Sequence, residues 1–126
     1  MITRGTTPYH SFILPFATSQ INTIYITYLQ NHEIILDKTM EDITIEDIVE
    51  DSNNATANEE VSEEVITSSK LTIHLTQEDT LKFHFYPAAE KNIAVVQLRV
   101  TTNDGEAYAS EPIYKRIFGI LKDGVI

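Results

Sequence analysis

Asn92-Ile-Ala-Val-Val-Gln-Leu-Arg-Val-Thr-Thr102, followed at once by Asn103-Asp104-Gly105, carries the strongest strand pattern in the chain. Ala94, Val96, Leu98 and Val100 fall on one face of an extended chain, and Ile93, Val95, Gln97, Arg99 and Thr101 on the other. Such sustained period-two alternation is a strand with one face turned to a core. Asp-Gly directly behind it is the strongest short hairpin signal. Residues 106–110 therefore return as a paired strand, and residues 113–120 supply a further one.

The same alternation recurs along the chain. Asn22 to Gln30 places Ile24, Ile26 and Tyr28 on one face, and Asn31-His32 forms the turn into a strand from Glu33 to Met40. Phe12, Leu14 and Phe16 mark a strand that ends near Pro15, since proline cannot donate to a ladder. Lys70 to Leu75 points Leu71, Ile73 and Leu75 inward, and Ile43, Ile45 and Ile48 mark a short strand. Thr76-Gln-Glu-Asp79 has the spacing of a helix N-cap and predicts one short helical turn. Leu81, Phe83 and Phe85 then predict another strand, stopped by Pro87. Seven or eight strands joined by tight turns predict an all-β fold: an antiparallel β-sandwich, immunoglobulin-like in size, formed by residues 1–126 as a single domain.

Composition agrees. Ile (17), Thr (15) and Val (7) are stiff, β-branched residues that favour pleated surfaces. With no cysteine, disulfides, thiolate chemistry and cysteine zinc sites are excluded. The net charge of −10 is local. Residues 37–64 hold eleven acids against Lys38 alone, while the other eight acids and eight bases cancel. The domain thus reads as neutral, with an acidic insert at about residues 41–64. Within it, Asp51 to Glu60 has no apolar residue larger than alanine and reads as a loop. No apolar run exceeds four residues, far below the ~20 of a membrane span. Met1 to Pro8 lacks the basic-then-apolar pattern of a signal peptide. A soluble protein made in a cytoplasm, with no membrane partner, is expected.

Catalytic chemistry finds no constellation. No serine sits in a nucleophile-elbow sequence, and Gly5, Gly105, Gly119 and Gly124 lie too far apart to cradle a phosphate. His74 and His84 are predicted on outward strand faces, but a metal site needs further ligands in fixed geometry. The acidic run lacks the alternation and the glycine of a calcium loop. Lys115-Arg116 is the only adjacent basic pair, too little for nucleic acid. The expectation is a non-enzyme without cofactor or metal.

Four stretches resemble a group of short, uncharacterised proteins encoded by tailed bacteriophages and prophages of gut bacteria: Arg4-Gly-Thr-Thr-Pro8, Leu75 to Phe83, Val96 to Gly105, and Ile120 to Ile126. More loosely, the chain is similar to the N-terminal β-sandwich domain of phage upper-baseplate proteins. The resemblance implies a structural virion component (capsid-associated, neck, or tail and baseplate) made in the bacterial host cytoplasm. Its partners would be other virion proteins or further copies of itself, related by the particle's symmetry. Apolar residues near both ends then become candidate contacts: Ile113, Ile117, Phe118, Ile120, Leu121, Val125 and Ile126, helped by Ile2 and Arg4. The competing reading is a last strand tucked into its own sandwich. Two other functions compete with the virion reading: an acidic inhibitor mimicking DNA, and a ligand-binding sandwich using Tyr9, Tyr108 and Tyr114.

Overall fold

A computed structural model describes residues 1–50, 65–87 and 92–126. Among these residues the strands are β1 (Ile2–Thr3), β2 (Tyr9–Leu14), β3 (Ile21–Gln30), β4 (Glu33–Thr39), β5 (Ile43–Glu50), β6 (Val65–His74), β7 (Ile93–Thr102), β8 (Ala107–Ala109) and β9 (Ile113–Phe118), with one α-helix, α1 (Gln77–Leu81), and two single 3-10 turns. They form two sheets, an all-β, sandwich-like fold. One sheet runs β1-β9-β7-β3-β4, with β8 also paired to β7; the other runs β2-β6-β5.

The alternating stretches fill the space between the sheets. Ile24, Ile26 and Tyr28 from β3 and Ala94, Val96, Leu98 and Val100 from β7 meet Phe12 and Leu14 from β2 and Leu71 and Ile73 from β6. Asn31 and His32 both take positive φ (52° and 64°), the backbone of a two-residue hairpin turn. The turn after β7 is different. Only Gly105 is left-handed there (φ 87°), and Thr102 N–H reaches Glu106 O at 2.9 Å, so three residues make the loop. Thr76 caps α1: its hydroxyl accepts from Asp79 N–H at 3.1 Å, and the Asp79 carboxylate accepts from Thr76 N–H at 3.0 Å. Lys38 on β4 meets the same carboxylate at 3.0 Å, tying the helix to the larger sheet.

Three expectations change. The strand predicted over residues 81–86 does not form. Its backbone groups are taken by side chains: Arg4 and Gln30, distant in sequence, serve Leu81 O and Phe83 O and both His84 N–H and O, and the nearby Asn92 serves both Tyr86 N–H and O. Phe83 is nonetheless fully buried, edge-on to Tyr28. The pairing is not wholly antiparallel either, because β1 runs parallel to β9, Ile2 opposite Ile117 and Thr3 opposite Phe118. Finally, the short strand expected at Ile43, Ile45 and Ile48 forms, but as β5 it runs on to Glu50, paired along β6 up to Glu50–Val65, so residues 43–50 of the expected insert belong to the smaller sheet. The loop read over residues 51–60 lies outside the described residues.

Candidate functional site

Arg4 organises the end of the sandwich where the chain's two termini meet. Its Nε donates to Phe83 O at 2.8 Å and its Nη2 to Leu81 O at 3.1 Å, while Nη1 pairs with Asp123. A planar guanidinium suits this task, since it offers several donors in a fixed fork. Thr80 Oγ1 donates to Thr6 O at 2.8 Å, and Leu75 N–H to Pro8 O at 3.0 Å. Gln77 holds Ile126 twice: Oε1 accepts its N–H at 2.7 Å and Nε2 donates to its O at 3.2 Å. Gly5 takes φ 77°, a left-handed backbone that strains any residue with a Cβ, and a Cβ there would also push Ile120 Cδ1 aside from 2.9 Å.

The candidate contact residues divide at this end. Ile2 and Ile117 are core, at 0% and 2% exposure, which corrects their assignment to a docking surface: the β1–β9 register turns both inward. Ile113 is half-buried against the same cluster, and Arg4 is committed to its own chain. Strand β9 is therefore tucked into its own sandwich. The segment beyond it is not. Phe118 and Ile120 are partly open, Val125 is exposed, and Leu121 and Ile126 are fully exposed.

Two grooves lie at the opposite end. One, of about 430 Å³, is walled by apolar side chains between β2 and β8, including Ile13, Phe16, Val100 and Ala109. Its neighbour, about 380 Å³, shares Phe16 and Tyr108 and adds Asp104 and Glu106. Phe16 and Tyr108 pack at a tilt, ring centroids 4.7 Å apart. Of the tyrosines considered for ligand binding, Tyr9 lies on the smaller sheet, stacked on His74 at 4.0 Å, while Tyr108 and Tyr114 lie on the larger. They make no single row.

The histidines are not brought together as ligands. His74 Nε2 lies 3.2 Å from Thr7 O, whereas His84 sits off any strand with its backbone held by Gln30. Among the described residues no three His, Cys, Asp or Glu side chains converge on a metal position, and no helix is long and apolar enough to cross a membrane. One titratable pair escaped the sequence reading: His10 Nδ1 lies 2.7 Å from the Tyr28 hydroxyl, deep between the sheets. Burial, then the charge of Lys115, pushes the His10 pKa down to about 4; burial, then the charge of Asp79, raises that of Tyr28. His10 belongs to the inward face of β2, visible in the alternation His10, Phe12, Leu14.

No protein-family model, curated protein or solved structure matches the chain.

Proposed function

We propose that the protein is a non-enzymatic structural component of a tailed-phage virion, an immunoglobulin-like sandwich acting through protein–protein contacts. The pairing order supports the fold reading: β2-β6-β5 faces β4-β3-β7-β9, the order of the B-E-D and C′-C-F-G strands, with β1 beside the last. One observation carries the functional reading. Arg4 to Pro8, Leu75 to Phe83 and Ile120 to Ile126, three of the four stretches that carry the phage resemblance, converge on one end of the fold. There they hold apolar side chains in solvent on a hydrogen-bonded frame. Several large apolar side chains gathered in water at one end of a fold (Phe118, Ile120, Leu121, Val125 and Ile126) are what an interaction surface offers.

Mass spectrometry of purified particles tests this reading. The protein is expected in the particle at a copy number that is a multiple of a symmetry order. Its absence from particles, with the protein present in the infected cell, would reject the structural role.

A further inference from the structure

We propose that the tail of one copy, residues 120–126, docks in the apolar groove at the opposite end of a second copy, so that the protein assembles head to tail. This deepens the structural-component reading and rests on it for its biological meaning. The tail is a presented surface rather than a loose end. Asp123 is held by Arg4 and Ile126 by Gln77, yet between and before these clamps Leu121 is fully exposed and Val125 largely so. The groove is a built receptor. Ile13 and Phe16 on one side, and Val100 and Ala109 on the other, wall about 430 Å³ of apolar space. Among the described residues β2 pairs only with β6 and β8 only with β7, so each wall also carries an unpaired strand edge.

Charge selects the occupant. The adjoining pocket carries Asp104 and Glu106, and no lysine or arginine lines either groove. What fits is an apolar side chain with a cation beside it. Leu121-Lys122 is that pair, and Lys122 has no ion-pair partner among the described residues. A copy does not fill its own groove. The tail follows β9, whose last residues lie beside Ile93, whereas the groove lies at Val100. That seven-residue rise along β7 is about 23 Å, and the clamps hold the tail at its own end. Giving and receiving surfaces therefore differ, which makes the contact heterologous: copies close into a ring or extend as a filament, according to the rotation between them.

The test uses the full chain and two exposed positions, one on each surface. Sedimentation velocity of the wild type up to about 200 μM, enough to populate an interface of micromolar Kd, is expected to show concentration-dependent association. Leu121→Glu in the tail and Ile13→Glu in the groove should each weaken it by about 30-fold, the effect of losing a central contact. An equimolar mixture of the two variants retains one intact tail and one intact groove, so it should form a dimer and nothing larger. Should Ile13→Glu fail to fold, Ala109→Arg closes the same groove from β8. A monomeric wild type, variants that associate as the wild type does, or a mixture that stays monomeric would each overturn the docking. If docking fails while the protein is found in particles, the structural role stands with a different contact. If docking holds and particles lack the protein, the role falls and the assembly remains.

Discussion

Replacing Arg4 by alanine removes two hydrogen bonds to backbone carbonyls and one ion pair in a single change. Leu81 O and Phe83 O are then left without their donor in a part-buried setting. The expected loss is about 2–3 kcal/mol of unfolding free energy, measured by urea titration. Arg4→Lys keeps the charge but has no fork, so it should recover less than half; full recovery would show that charge alone matters there. His10 makes a second, pH-dependent claim. Its imidazole is buried neutral with a pKa near 4, whereas an unfolded histidine titrates near 6.5. Between those values the unfolded chain binds more protons, so stability present above pH 6.5 is lost as pH falls toward 4. The slope approaches about 1.4 kcal/mol per pH unit at its steepest. Urea midpoints between pH 7.5 and 4.5 should fall for the wild type and stay nearly level for His10→Gln, which can still bond Tyr28. A level wild-type curve would contradict the burial argument.

At the scale of elements, Gln30 is the clearest case of a side chain standing in for a strand. It is 2% exposed and satisfies both backbone groups of His84 at 2.7 Å. Gln30→Ala should cost about 1–2 kcal/mol, because the part-buried N–H and C=O of His84 lose their partner together. A cost below about 0.5 kcal/mol would mean the 82–87 segment finds other partners. The same residue explains what the sequence could reveal. β3 and β7 were legible because alternation is local, and the Asn31-His32 turn because its chemistry is local. The stretch from Leu81 to Phe85 alternates just as well, yet its backbone partners come from Arg4 and Gln30, 77 to 79 and 54 positions away. Periodicity cannot register such partners. Strand β1, two residues long, is too short to have a period. The apolar tail was legible as a candidate surface, but its division was not: pairing with β1 decides that Ile117 turns inward while Phe118 stays partly open.

For the whole molecule, truncation after Gly119 separates the frame from the surface it carries. The loss removes Asp123 from Arg4 and Ile126 from Gln77 but leaves β9 paired on both sides. Those contacts are largely exposed, so the shortened protein should fold with a stability loss of about 1 kcal/mol. That is a fall of a few degrees in Tm. It should also fail to enter particles. Global unfolding on truncation would place the tail in the core and remove its interaction role. The parallel pairing of β1 with β9 has a mechanical consequence as well. Tension applied between residues 1 and 126 drags these two strands past each other along their length. Their hydrogen bonds, with Arg4 N–H on Phe118 O at 2.9 Å, are then loaded together in shear instead of being peeled singly. Resistance to such a pull follows the height of the rupture barrier and not the equilibrium free energy, which lets a small, marginally stable domain act as a stiff link under brief load.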